Sequence, residues 1–378
     1  MNIVLITQQF PYGVGEQFLE TELPLLAQNA KRVEIIPYSG IPGTKRIVPK
    51  NVYVHTDVES HIQEKIQALP SSLPLTGMER WTRDFCALTH AIADTIEECI
   101  LLQDTDVLYS YWLTESAYAA VLLKKKYPHL HAISRGHGYD VFSERQNSDH
   151  RPYQKETIEG LDAVYAVCKA GASYMKKKYP SVQENVTDRY LGVTNQDFQK
   201  GSSDGIVRIV SCATLKPLKR IHRIAEALQY VSRPVQWVHI GDGPEMDRIR
   251  TIADILPSHI QCTFLGACTN SAVHAYYQSH PVDAFINCSE TEALPVSIME
   301  AMSYGIPCIG TDVGGVSEII HQENGWLLHK DFHTDDLVET IERIDLSNEE
   351  KRKSAQQTQR NLCNAEKNYS NFVSEMYI

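Results

Sequence analysis

Short apolar runs, each the length of a buried strand, alternate with segments of helical period along almost the whole chain, and no other feature of the sequence limits the fold as strongly. In the first half the strand candidates are residues 2–7, 33–38, 107–111, 132–134 and 163–167, with helical patterns over 16–30, 116–126 and 170–178. The second half alternates more cleanly, with strands expected at 206–211, 237–240, 262–265, 284–287 and 308–310, each followed by a helix. A helix between two strands returns the chain to the same edge, so the strands pair in parallel through right-handed crossovers. The class is therefore α/β. At 378 residues the chain is too long for one ordinary core and suits two α/β domains. The polar stretch 195–205 lacks periodicity and reads as the linker, giving domains over 1–195 and 205–345. The charged, helical tail is expected to return to the first domain over 360–378. The proline-containing span 41–76 is read as an insertion facing a cleft.

Composition excludes several functions. A net charge of −11 is the wrong sign for a nucleic-acid binder, which neutralises phosphates with excess Lys and Arg. Nine cysteines, an odd number without paired spacing, include Cys212, Cys288 and Cys308 in or beside apolar runs. There they act as small buried hydrophobes, which favours a reducing compartment. No run reaches membrane-spanning length, and the first residues form a strand rather than a signal peptide, so a cytoplasmic protein is expected. Lys-Lys-Lys-Tyr-Pro occurs at 124–128 and again at 176–180. Each copy ends a helical pattern, where cations suit the helix dipole and Pro stops the helix. Capping is preferred to the alternative of a basic patch for an anionic membrane.

The most informative stretch runs from Asp283 to Ile320. A strand is followed by the loop 289–294, and Pro295 is expected as the first residue of a helix continuing to about Tyr304. The amides of Ala293, Leu294 and the first turn are then free to hold an anion such as a diphosphate. Glu292 precedes this helix and Glu300 lies within it, spaced to reach two ends of one ligand. An acid near a helix start is also a common dipole partner with no further role.

The run from Ser289 to Cys308, followed by Asp312 to Glu318, resembles the donor-site signature of family 4 glycosyltransferases. The resemblance extends from about Gly13 onward and is strongest from Cys212 to Gly325. It implies the GT-B fold, two Rossmann-like doubly wound domains facing a central cleft, with the acceptor held mainly by the first and the donor by the second. It also implies retaining transfer of a hexose from a nucleotide diphosphate sugar, with no metal and no cofactor. In the E-x7-E motif, Glu292 would contact the transferred sugar and Glu300 the ribose, and Ala293 replaces a common Gly. Ser211 to Arg220 is similar to the family's diphosphate loop. Lys219 matches its lysine, and Thr214 stands where an arginine is usual, a charge that Lys216 or Arg220 would replace.

Arg135 to Asp140 resembles the histidine loop, with His137 at the sugar and Asp140 supporting it. Pro11 to Glu16 follows the first strand, and Gly13 and Gly15 would let the backbone approach a phosphate or acceptor. Phe18 stands where a dinucleotide fingerprint needs its third Gly. The Gly241-Asp-Gly-Pro244 string, with Met246 at that position, is assigned by the resemblance to the nucleotide pocket, and Leu265 to the base. Asp104 and Asp106 form a D-x-D string ahead of a strand and read as a solvated loop. No zinc spacing and no G-x-S-x-G elbow occur. The style of the motifs implies bacterial exopolysaccharide or capsule assembly, with a glycan or lipid-linked acceptor and a peripheral place on the inner membrane face. The competing readings are a UDP-sugar 2-epimerase of the same fold, an NAD-dependent dehydrogenase and a non-catalytic nucleotide-sugar-binding scaffold.

Overall fold

A computed structural model describes residues 1–13, 15–39, 43–68, 77–143 and 151–376, apart from the Met78 side chain. Of the span 41–76 expected as an insertion, residues 41, 42 and 69–76 lie outside the described residues, as does Val14 between the two loop glycines. The chain forms two compact units. One comprises Met1–Tyr190 with Glu366–Ile378, the other Leu191–Ala365.

Unit 1 holds a seven-stranded sheet of β1 (Asn2–Thr7), β2 (Arg32–Pro37), β3 (Val52–Val54), β4 (Val107–Ser110), β5 (His131–Gly136), β6 (Ala163–Ala166) and β7 (Val186–Asp188). Its order is β3-β2-β1-β4-β5-β6-β7, and every pair is parallel. Both faces of β1 are buried, which is why it reads as a continuous apolar run. Val4 and Ile6 pack with Ile62, Ile92 and Val121 on one side. Ile3 and Leu5 pack with Leu23, Leu26 and Phe372 on the other, so the helix Ala365–Glu375 covers this face. Arg135 is fully buried here, 4.0 Å over the Phe372 ring, and its Nη1 donates to the Arg189 carbonyl at 3.0 Å.

Unit 2 repeats the design with β8 (Val207–Cys212), β9 (Val235–Ile240), β10 (Ile260–Phe264), β11 (Ala284–Asn287), β12 (Cys308–Thr311) and β13 (Gly325–Leu328). The order is β10-β9-β8-β11-β12-β13, again all parallel. Each sheet therefore has one switch point where successive connections diverge, between β1 and β4 and between β8 and β11. Ligands collect at the carboxyl ends of strands at such points.

Three expectations change. The stretch read as a linker is packed on unit 2: Ser202 N and Oγ both donate to Asp283, at 2.7 Å each, and Gln199 N donates to the Tyr304 carbonyl at 2.9 Å. Polar residues without periodicity are held there by hydrogen bonds rather than by an apolar face. The first helix starts at Leu19 rather than at residue 16, because Glu16 adopts φ 56° and turns its carboxylate back into the preceding loop. Pro295 is the extended N-cap of the helix Val296–Ser303, not its first residue. The Lys-Lys-Lys-Tyr-Pro copies do end the helices Glu115–Lys126 and Lys169–Lys178, and Lys124 pairs with Asp162 at 2.6 Å.

Candidate active site

The loop after β8 and the loop after β11 flank the switch point of unit 2. Lys219 leaves the first loop and donates to Oε1 of Glu292 in the second. Asn287 Nδ2, at the end of β11, reaches the same oxygen at 3.4 Å. The glutamate is buried while the lysine keeps a quarter of its surface open. The arrangement holds a cation at the strand ends with a single carboxylate as partner, and a stronger anion can displace that carboxylate. Just beyond, the helix Val296–Ser303 begins without a side-chain cap; Ile298 N donates to the Pro295 carbonyl at 3.1 Å, and no side chain caps the Val296 and Ser297 amides. Ala293 and Leu294 are buried in the turn between, and the Ala293 carbonyl accepts from Gly315 N at 2.6 Å. Gly314 sits at φ 56°, where a Cβ would lie 1.8 Å from the Glu292 carbonyl oxygen. Its lack of a side chain lets the two loops touch and sets the height of Glu292.

Glu300 is one helical face further on and is buried. Asn270 Nδ2 donates to its Oε1 at 2.6 Å. Burial pushes its carboxyl up to about 7, against the Asn270 bond that favours the charged form. Glu300 therefore changes charge near neutrality, and a ligand that donates hydroxyls to it stabilises the ionised state.

Arg220, one of the cations expected near the diphosphate, also holds the loop together. Its Nε donates to Cys288 O at 2.7 Å, Nη2 to Ser289 O and Nη1 to Lys330 O, both at 3.1 Å. The guanidinium thus braces the loop that carries Glu292, from a backbone at φ 48°. Thr214 is exposed at the loop's tip and adds no charge. Gly241 serves close approach: a Cβ there would lie 1.9 Å from Ala213 O, and its N–H donates to Gly266 O at 2.8 Å. Leu265, just after β10, is 42% exposed; its N–H is given to His239 O and its carbonyl accepts from the Cys268 thiol at 3.9 Å.

In unit 1 the amides of Gln8, Gln9 and Phe10, which lead into the glycine loop after β1, are bonded to a carboxylate of the chain itself. The Glu16 carboxylate accepts from Gln8 N, Gln9 N and Phe10 N at 2.8, 2.7 and 2.7 Å, and from Trp112 Nε1 at 2.7 Å. The chain supplies its own anion to a nest of the kind that binds phosphate. Gly13, at φ 65°, makes the turn, and Arg46 Nη2 holds its carbonyl at 2.9 Å. A Cβ at Gly15 would meet only Gln9 Oε1, at 3.7 Å, and its carbonyl accepts from Arg46 at 3.3 Å. His137 follows β5. Asp140 accepts from His137 N and, at 2.8 Å, from Leu113 N, so it ties the ends of β5 and β4 together. The imidazole is buried beside Tyr111 and Trp112, at 4.7 and 4.5 Å between rings, and its Nδ1 lies 3.8 Å from Asp140 Oδ2, within the capping box of the short helix Gly138–Val141.

Each unit thus gathers its own sequence-predicted residues at one edge: Lys219, Glu292, Ala293, Leu294, Pro295 and Glu300 in unit 2, and Gly13, Gly15 and His137 in unit 1. Asp104 and Asp106 lie at the opposite, amino edge, where Asp106 accepts from Asn2 N at 2.6 Å. Sequence reasoning missed Glu16, Trp112, Asn270, Asn287 and Gly314 as parts of these edges. An acid directly after a glycine loop was the available signal for Glu16; the two asparagines carried none. Among the described residues no group of three or more His, Cys, Asp or Glu is placed to hold a metal ion, and no helix is long and apolar enough to cross a membrane.

Two parallel doubly wound sheets, one ending in a lysine–glutamate pair beside an uncapped helix, define a glycosyltransferase of the GT-B class. Such an enzyme moves a sugar from a nucleotide-diphosphate donor to an acceptor. The chain belongs to the glycosyl transferases group 1 family, whose model matches residues 193–362. It is 30% identical over 371 residues to the putative teichuronic acid biosynthesis glycosyltransferase TuaC of Bacillus subtilis, covering 91% of this chain and 89% of that one. It is 24% identical to N-acetyl-alpha-D-glucosaminyl L-malate synthase of Bacillus anthracis, over 84% of this chain and 81% of the synthase. Among solved structures, the lipopolysaccharide outer core galactosyltransferase WaaB in its apo form superposes with a TM-score of 0.73 at 17% identity, over the whole of both chains. At that identity the likeness concerns the fold.

Proposed function

We propose that this chain is a retaining, metal-independent hexosyltransferase. It takes a UDP- or GDP-linked hexose and extends a glycan or lipid-linked glycan in bacterial surface polysaccharide synthesis, working in the cytoplasm at the inner membrane face. Unit 2 is the donor side and unit 1 the acceptor side. The observation that carries the reading is the Lys219–Glu292 pair across the switch point of the second sheet. A diphosphate takes over Lys219 and the first-turn amides of the helix Val296–Ser303, which frees Glu292 for the sugar, while Glu300 accepts from the ribose hydroxyls. The bond from the anomeric carbon to the diphosphate oxygen breaks, and a bond to the acceptor oxygen forms on the same face. The acceptor's proton passes to the departing diphosphate. Negative charge grows on that diphosphate in the transition state, and a fixed cation with aligned amides stabilises it there. His137 is assigned to the sugar by the family resemblance.

The roles of the relatives support the polymer reading, since TuaC is named for teichuronic acid biosynthesis. The test is a panel of UDP, GDP, ADP and NAD in thermal unfolding, followed by donor hydrolysis and product analysis by NMR. UDP or GDP is expected to stabilise the protein by about 2.7 kcal/mol at a hundredfold excess over its dissociation constant. Lys219→Ala and Glu292→Gln are each expected to lower turnover by about 10²–10³-fold, EDTA to leave it unchanged, and the product to keep the donor's anomeric configuration. Stabilisation by NAD alone, or full turnover in Glu292→Gln, overturns the reading.

A further inference from the structure

We infer that Asn270 is a positioning residue for the donor: its amide holds one oxygen of Glu300 and leaves the other to accept from the ligand, an inference that rests on reading Glu300 as the ribose contact. Asn270 Nδ2 donates to Glu300 Oε1 at 2.6 Å, across 30 residues of sequence and between two helices. Among the described residues it is the only donor to that carboxylate. The last torsion of a glutamate is broad, so an unheld carboxylate points its oxygens in many directions. With Oε1 fixed, Oε2 keeps one direction, and less order has to be imposed when a hydroxyl arrives.

An asparagine at a helix start is usually a cap. Here the cap of the helix Asn270–Ser279 is Thr269, whose Oγ1 accepts from Ala272 N at 3.3 Å. Asn270 follows it as the first helical residue and is exposed. Its side chain is thus needed neither to start the helix nor to fill a core. An exposed amide that reaches inward gives up rotamer freedom, and a bond to a charged acceptor offsets that better than one to a neutral acceptor.

The surroundings leave the charge of Glu300 to this one bond. Cys212 at the end of β8, Tyr277 in the helix of Asn270 and Tyr304 after the helix Val296–Ser303 face the carboxyl. Burial pushes all three up, Cys212 and Tyr304 to about 12, so they are neutral near pH 7 and none is a cation. Beyond Tyr304 stand Asp197 and His274, whose Nδ1 lies 2.9 Å from the Tyr304 hydroxyl and whose imidazole burial holds below its usual range. Burial raises the Glu300 carboxyl, and Asn270 is the neighbour that favours its ionised form.

The experiment compares the full-length wild type with Asn270→Leu and Asn270→Asp across neutral pH. Aspartate keeps the shape of asparagine and removes the donor, so a role in packing alone would not register in it. The Glu300 carboxyl carbon, followed by NMR without ligand and assigned by its loss in Glu300→Gln, is expected to titrate about one unit higher in Asn270→Leu. In Asn270→Asp it should titrate higher still, because a second carboxylate disfavours the charge. Calorimetry then uses UDP-glucose, UDP-N-acetylglucosamine and GDP-mannose, whose diphosphates have no proton that titrates near neutrality. Affinity at pH 7 is expected to fall about tenfold in Asn270→Leu, the equivalent of one pKa unit, and to recover as the pH rises. In turnover the loss should fall chiefly on the donor KM. An unmoved Glu300 titration in both variants overturns the inference, as does a shifted titration with unchanged donor affinity. Donor binding that ignores Asn270 leaves the transferase reading standing. Binding of none of the three nucleotide sugars by the wild type overturns that reading, and the inference with it.

Discussion

At the carboxyl edge of the second sheet, between β8 and β11, Lys219 and Glu292 hold one another and the first turn of the next helix is uncapped. At the matching edge of the first sheet, between β1 and β4, the amides of Gln8, Gln9 and Phe10 converge in a comparable way, but the Glu16 carboxylate already fills them. A parallel sheet supplies outward amides at its switch point wherever it occurs. Side chains then decide whether the anion comes from solution or from the chain itself. At one edge the carboxylate meets a lysine and an asparagine; at the other, three amides and an indole hold it.

The sharpest way to break this contrast is at Gly314. A methyl group there meets the Glu292 carbonyl at 1.8 Å, on a backbone at φ 56°. Gly314→Ala is expected to destabilise unit 2 by about 4 kcal/mol in chemical denaturation, and to cut transfer at least as far as Glu292→Gln does. Wild-type stability and turnover would mean that this loop does not set the position of Glu292.

Glu16→Ala comes next. It leaves three amides and the Trp112 indole without their acceptor and is expected to cost about 3 kcal/mol. Because the missing group was an anion, added acetate should restore part of the loss. If denaturation curves with and without acetate coincide, the closed edge is not an anion nest.

Glu300 sharpens the comparison through pH. Its native pKa of about 7 lies above the ordinary 4.5, so the folded state binds the proton more tightly than the unfolded state. Its contribution to stability is therefore full below about pH 4.5, declines as the pH rises toward 7, and stays at the lower level above that. Donor binding runs the other way, because the ionised carboxylate accepts ribose hydroxyls better. The donor KM is expected to fall roughly tenfold, about one pKa unit's worth of differential interaction, as the pH rises through 7. Glu300→Gln should flatten the profile, and an unchanged slope in that variant would assign the titration to another group.

The smallest effect is expected at Thr214, exposed at the tip of the β8 loop. Thr214→Arg adds a cation beside Lys219 and should tighten UDP or GDP binding roughly twofold to fivefold at low salt, the range of an exposed ion pair. The gain should fade as salt is added. Unchanged affinity by calorimetry would place the diphosphate away from that tip.

How far the sequence was legible depended on the range of the interactions involved. Central strands such as β1, β8 and β11 were readable because both faces are largely buried and each carries a run of apolar residues. The three-residue strands β3 and β7 and the edge strand β13 were not, since they have too few residues for a pattern and lie at or near the sheet margins. Glu292 and Glu300 were suggested by their spacing about a helix start, and the family resemblance singled out both together with Lys219. Asn270 and Asn287 did not, because a single amide reaching a carboxylate has no period and no composition signal. The bracing bonds of Arg220 were invisible for a related reason: they reach carbonyls up to 110 residues away.

The alternation of apolar strand and helical segment by itself determined two parallel α/β sheets, because crossover geometry leaves few other arrangements. It also determined the segments from which an anion site is built. Tertiary structure decided which charges meet, since Lys219 and Glu292 are 73 residues apart and Trp112 and Glu16 are 96 apart. Hydrogen bonds between such distant groups depend on strand order and loop height. Those are properties of the packed sheet, and no local pattern along the chain encodes them.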